Sequence, residues 1–129
     1  MPAAASVSVV VVDDQLSMRG LVRAGLNGIG INQEREFASA SEALGSLKAQ
    51  PSNVVISDFN MPEMDGLEFL RALRADAKFK NTAFILLTGR ADKELVQRAV
   101  QFGANNYLVK PFTVATLKEK LTQVVGELT

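Results

Sequence analysis

The chain contains no cysteine and no histidine. The first absence excludes disulfides, thiolate nucleophiles and cysteine-bound zinc. The second excludes more, because no phosphohistidine, imidazole base or imidazole metal ligand can be built from this sequence. Any metal held here is held by oxygen, which favours Mg²⁺ or Mn²⁺. Tryptophan is absent too, and Tyr107 is the sole tyrosine. Neither sign of charge dominates: 14 Lys and Arg balance 14 Asp and Glu. That balance gives no support to nucleic acid or an anionic membrane as a partner. No apolar run approaches the roughly 18 residues of a membrane span. The start, Met1-Pro2-Ala3-Ala4-Ala5-Ser6, lacks the basic and long apolar regions of a signal peptide. These absences together predict a soluble cytoplasmic protein.

What is present is 129 residues, 47% of them hydrophobic, enough for one globular domain with a full core. Apolar runs of strand length alternate with helical patterns, without repeats or linkers. Val7 to Val12 is almost continuously β-branched, as expected of a strand covered on both faces. Met18, Leu21, Val22, Gly25, Leu26 and Ile29 then follow helical spacing. A more polar strand near Glu34 to Ala38 reads as a sheet edge. Ser39 and Glu42 have capping-box spacing ahead of Ala43, Leu44 and Leu47. Asn53 to Ser57 is a third strand, and Asp65 with Glu68 opens the helix carrying Leu67, Leu70 and Leu73. Ala83 to Leu87 is a fourth strand. Asp92 caps a helix bearing Leu95, Val96, Ala99, Val100 and Phe102, which Gly103 stops. Tyr107 to Val109 is the fifth strand. Thr113 opens the last helix, with Leu117, Leu121, Val124, Val125 and Leu128 inward. Such short βα units predict an α/β fold, a doubly wound five-stranded parallel sheet with helices on both faces. One domain over residues 7–128 is expected, after a short tail at 1–6.

Asp13 and Asp14, Asp58, Thr88 and Lys110 all sit where strands end. Strand C-termini of an open parallel sheet share one edge, and ligands bind there. Carboxylates gathered in that cleft would repel by about 4 kcal/mol per pair at 4 Å and an effective dielectric near 20. Lys110 supplies one compensating charge, and a divalent cation brings the cleft close to neutral. Mg²⁺ takes one or two carboxylates, waters and a phosphate oxygen. A backbone carbonyl after Asp58, that of Asn60, can add a ligand. Asp58 can then attack a phosphoryl group and form an acyl phosphate. Metal, the Lys110 ammonium and the Thr88 hydroxyl would neutralise the equatorial oxygens, and Gly89 leaves room for the donor. Taken singly, each residue has a plainer use. Adjacent acids after a strand commonly start a helix, Asp58 can serve a turn, Thr88 can be a strand-end hydroxyl and Lys110 a solvated charge. Their shared position at the strand ends favours the site.

The stretches Val11-Val12-Asp13-Asp14, Asp58-Phe59-Asn60-Met61-Pro62-Glu63-Met64-Asp65-Gly66, Leu87-Thr88 and Gly103 to Phe112 carry a resemblance. Together they resemble the receiver domain of two-component response regulators, in its chemotaxis branch. The likeness runs from about Val7 to Leu128 and includes the tail from Thr113 to Leu121. It implies the flavodoxin-like strand order 2-1-3-4-5, and phosphorylation of Asp58 by a histidine kinase. It also implies metal at Asp13, Asp14, Asp58 and the Asn60 carbonyl, a cis peptide before Pro111, and a switch coupling Thr88 to Tyr107. Two departures stand out. Ser39-Ala40-Ser41 replaces an acidic residue followed by glycine, and Arg90 stands at a position that, with Asn60, the resemblance implies lines the path of water attacking the phosphorylated Asp58.

Strand alternation puts Tyr107 and Val109 on one side of the sheet and Leu108 and Lys110 on the other. Tyr107 would then face the fourth and fifth helices. Val96, Val100, Tyr107, Val109 and Lys118 form a candidate partner face, although Val96 and Val100 can equally widen the helix's core stripe. A charge-assisted hydrogen bond contributes about 1.5–3 kcal/mol. Turning a 1:99 equilibrium into 99:1 takes about 5.5 kcal/mol, so Thr88 alone shifts the switch only in part. Within the resemblance the chain reads as a monomeric signalling protein, not an enzyme, although it assists its own phosphorylation and dephosphorylation. It would bind the flagellar motor switch, with a phosphatase as a further partner. A phosphate sink, a relay component and a kinase-binding regulator are the alternatives. A haloacid-dehalogenase-like phosphohydrolase would need Asp-x-Asp after the first strand. A flavodoxin-like electron carrier would have its flavin phosphate repelled by Asp13 and Asp14.

Overall fold

The valine run before Asp13 has no polar side chain to turn toward water, and it becomes an interior strand. A computed structural model describes residues 3–89 and 92–129. Strand β1 (Ser8–Val12) pairs in parallel with β2 (Gln33–Phe37) on one side and β3 (Val54–Asp58) on the other. With β4 (Ala83–Thr88) and β5 (Asn106–Val109) the sheet has five strands, ordered β2-β1-β3-β4-β5. The polar strand is an edge, as its composition predicts.

The helices are α1 (Leu16–Ile29), α2 (Ala40–Ala49), α3 (Gly66–Ala75), α4 (Lys93–Gln101) and α5 (Val114–Val125). Alternation along the strands builds a core on each face. Val10, Val12, Phe84 and Leu86 pack with α2, α3 and α4. Val9, Val11, Ile85 and Leu87 pack with Val22 and Leu26 of α1 and Leu117 and Leu121 of α5. Phe69 meets Phe84 edge to face, with centroids 5.9 Å apart. Each such side chain, taken fully out of water, contributes about 1.5–3 kcal/mol.

The helices follow the expected chemistry, except that α5 ends at Val125, short of Leu128, and apart from two further differences. Asp65 accepts from Glu68 N at 2.9 Å while Glu68 Oε1 accepts from Asp65 N at 3.1 Å, a complete capping box. At Ser39 only half of that arrangement forms: its hydroxyl accepts from Glu42 N, without the return bond from Glu42. Leu21 is the second difference, because it is 58% exposed rather than inward. It borders an apolar groove with Met18, Ala24, Pro111, Phe112 and Val114, on the shoulder of α1 that α5 does not cover. Gly103 ends α4 with φ +101°, a left-handed conformation that glycine adopts without strain. The N-terminal residues Ala4–Ser6 form a single 3-10 turn whose Ala4 is buried. No helix among the described residues is long and apolar enough to cross a membrane.

Candidate functional site

Parallel pairing brings the strand ends level. Val12 lies opposite both Phe37 and Ser57, Asp58 opposite Leu87, and Thr88 opposite Val109. Asp13 and Lys110 therefore leave the sheet at the edge that also carries Asp58 and Thr88. There Lys110 Nζ donates to Asp58 Oδ1 at 3.0 Å and to Asp13 Oδ2 at 3.3 Å. Carboxylate oxygens of Asp13, Asp14 and Asp58 lie within 4.8 Å of one another. Asp13 is fully buried and Asp58 is 6% exposed, whereas Asp14 is exposed. The site thus has an acidic floor and an acidic rim.

Backbone contacts set this geometry. Asp13 N donates to Phe37 O at 3.1 Å, and Asp13 Oδ1 accepts from Gln15 N at 2.9 Å. Lys110 N donates to Thr88 O at 2.7 Å, carrying the β4–β5 ladder to the base of the lysine side chain. The peptide from Lys110 to Pro111 is cis. After Asp58 the chain turns back, with Gly66 N donating to Phe59 O at 2.9 Å. A Cβ on Gly66 would lie 2.4 Å from Asp58 O, so α3 can start this close to the phosphoacceptor candidate only on glycine.

Electrostatics matches the crowding. Burial raises the Asp58 pKa above its ordinary value, with a push from the Asp13 charge, against the Lys110 hydrogen bond and charge. Burial by itself would lower the Lys110 pKa, but the hydrogen bonds and charges of Asp58 and Asp13 outweigh it, so the ammonium is held above the usual lysine range. Among the described residues, one lysine against three carboxylates leaves the cleft negative. An all-oxygen, net negative donor set suits a hard divalent cation such as Mg²⁺.

The remaining predicted residues fall into two places. Thr88 is buried at the end of β4, and Asn60 lies exposed on the loop after Asp58. Tyr107, opposite Leu86, packs against the core cluster containing Leu95 and Ala99 of α4, with Lys120 Nζ of α5 4.7 Å from its ring centroid. Val100 is 63% exposed and Lys118 is exposed, while Val96 and Val109 are half-buried. The acid site and the α4-β5-α5 surface thus lie apart, joined by β4 and β5. Arg90 lies outside the described residues. Sequence reasoning missed Gly66, the Gln15 amide and Arg19, whose Nη1 donates to Asp13 O at 2.6 Å. Lys120 of α5, which the sequence does not single out, lies over the Tyr107 ring. The glycine after the Asp65 cap was a usable signal; nothing in the sequence marks Arg19.

Residues 9–122 match the family described as the response regulator receiver domain. The chain is 43% identical over 128 residues to the "Probable chemotaxis protein CheY" of Rhizobium etli, covering 99% of each. It superposes on the chemotaxis response regulator CheY4 of Vibrio cholerae with TM-score 0.86 at 35% identity, over 92% of this chain and 98% of that one. A receiver domain of a Pseudomonas aeruginosa sensor histidine kinase, with a magnesium ion coordinated in its active-site cleft, matches at TM-score 0.83 and 27% identity over 93% of this chain and 98% of that one.

Proposed function

The chain belongs to the response regulator receiver domain family, in its CheY-type branch, and from that premise we propose how it signals. Asp58 accepts a phosphoryl group from a histidine kinase. Its carboxylate oxygen attacks phosphorus, the phosphorus–nitrogen bond to the donor imidazole breaks, and the donor nitrogen keeps the electron pair and takes a proton. The observation carrying this reading is Lys110 Nζ, poised between Asp58 and Asp13 at 3.0 and 3.3 Å. An ammonium there stabilises charge that grows on a phosphoryl oxygen. Asp13, Asp14, Asp58 and the Asn60 carbonyl would hold Mg²⁺, with Mn²⁺ as a substitute. The cation, when bound, supplies charge neutralisation at the phosphate. The Thr88 hydroxyl takes a further oxygen.

Thr88 and Tyr107 form the proposed switch, and Val96, Val100, Tyr107, Val109 and Lys118 the face that it alters. The target is the flagellar motor switch, with a phosphatase as a second partner. The protein acts in the cytoplasm as a monomer and as a signalling protein, and the receiver domain spans residues 7–128. Incubation with acetyl phosphate and Mg²⁺, followed by mass spectrometry, tests the site. A phosphoryl adduct should form on the wild type and be missing from Asp58→Asn. Equal adduct on both proteins, or none on the wild type, overturns it. Pull-down of motor switch protein with and without beryllofluoride tests the target.

A further inference from the structure

Asp14 is exposed, and its carboxylate has no hydrogen-bond donor or ion-pair partner among the described residues. Something other than its own contacts must aim it at the cleft. The peptide between Asp13 and Asp14 sets the direction in which the Asp14 side chain departs. Its carbonyl, Asp13 O, accepts from Arg19 Nη1 at 2.6 Å. Arg19 sits in the first turns of α1 with its side chain only 15% exposed. Its Nε lies 3.8 Å from Glu36 Oε1 on the edge strand, and Arg23 Nη1 holds the other Glu36 oxygen at 2.6 Å. Asp13 is thereby fixed at its amide, its carbonyl and both carboxylate oxygens, by Phe37, Arg19, Gln15 and Lys110 in turn.

We propose that Arg19, braced by Glu36, is a positioning residue for the cation site: it fixes the Asp13–Asp14 peptide and so aims Asp14. This rests on the reading of the acidic cleft as a Mg²⁺ site. The argument gives an effect of unusual sign. Removing a positive charge next to a cation site should, on charge alone, tighten Mg²⁺ binding. Loss of positioning should weaken it instead.

The test is calorimetric titration of the full chain with Mg²⁺ at low ionic strength. Arg19→Met is expected to bind Mg²⁺ about tenfold more weakly than wild type, the lower end of the roughly 10–100-fold loss seen when groups supporting metal ligands are removed. Arg19→Lys, which can still donate to the carbonyl, should recover part of that loss. Arg23→Met removes the same charge from the same glutamate without touching Asp13, and should stay within about twofold of wild type or bind more tightly. Unchanged or tighter binding by Arg19→Met, or equal weakening by Arg23→Met, overturns the assignment. If Arg19→Met fails to fold, Arg19→Gln, which removes the same charge, takes its place: weaker Mg²⁺ binding supports the clamp, and unchanged or tighter binding overturns it. A wild type that binds no Mg²⁺ overturns the cation-site reading and this inference together, whereas normal wild-type binding with an unaffected Arg19→Met defeats only the latter.

Discussion

Replacing Lys110 with methionine removes the one cation among the described residues that contacts both Asp13 and Asp58. At 3.0 and 3.3 Å and an effective dielectric near 20, each attraction is about 5 kcal/mol before desolvation. Taking the ammonium and carboxylates out of water returns most of that. The net contribution of a charge-assisted hydrogen bond is about 1.5–3 kcal/mol. With one ammonium shared between two acids, the expected loss of stability without Mg²⁺ is about 2–4 kcal/mol. For a chain of 129 residues that lowers Tm by about 6–15 °C. The pH dependence has a definite sign. The Lys110 pKa is raised in the folded state, so its stabilisation is complete below the ordinary lysine range and is lost only as pH rises beyond it. A narrowing of the gap at low pH must then come from the acids. The Asp58 pKa, already raised by burial, rises further in the variant, and protonation relieves the repulsion. The gap between wild type and Lys110→Met should be widest near about pH 8 and should shrink toward about pH 5. Mg²⁺ at ten times its Kd stabilises a folded protein by about 1.4 kcal/mol, and the more negative variant should bind it more tightly and gain more at equal concentration. Melting curves with EDTA and with Mg²⁺ at both pH values decide the matter. A variant that melts with the wild type in EDTA at pH 8, or gains no more from Mg²⁺, refutes this account of the cleft.

Two further predictions concern parts of the fold around the cleft. Gly66→Ala places a Cβ 2.4 Å from Asp58 O and 3.0 Å from Leu86 Cδ1, so α3 must shift. Urea denaturation should show about 2–3 kcal/mol of lost stability; wild-type stability would mean that the turn after Asp58 yields freely. Glu34 Oε2 is buried without a donor aimed at it. Its pKa is raised to about 7 by burial first, then by the Glu36 hydrogen bond and charge, against the charge of Arg23. A folded-state pKa above the unfolded one means that this contribution to stability is present below the ordinary glutamate range and is lost as pH rises toward about 7. Glu34→Gln should therefore flatten the decline of Tm between about pH 5 and 8, and a decline as steep as wild type excludes Glu34 as its source.

Much of the architecture was legible from residue order alone. A β-branched run such as Val9 to Val12 specifies a buried strand wherever it is placed, because its shape and hydrophobicity are local properties. The same holds for the caps at Asp65, Asp92 and Thr113, each of which accepts from an amide two or three residues on. The position of Asp13, Asp58, Thr88 and Lys110 at strand ends was also legible, since the topology of a parallel sheet sends those ends to one edge. Leu21 was misjudged because periodicity gives the face of a helix but not how far its neighbour extends to cover it; at Ser39 the box spacing was legible, but only the Glu42 N bond forms.

The residue sequence by itself determined the strands, the helices, the all-oxygen character of any metal site and the convergence of acids with one lysine. Tertiary structure decided what depends on contacts between distant segments. These are the 3.0 Å reach of Lys110 to Asp58, the Arg19 contact that pins the Asp13 carbonyl, the backbone approach that requires Gly66 and the lysine lying over Tyr107. Local propensity acts over a few residues and is written along the chain, whereas burial and charge coupling act through space and exist only after the elements have packed.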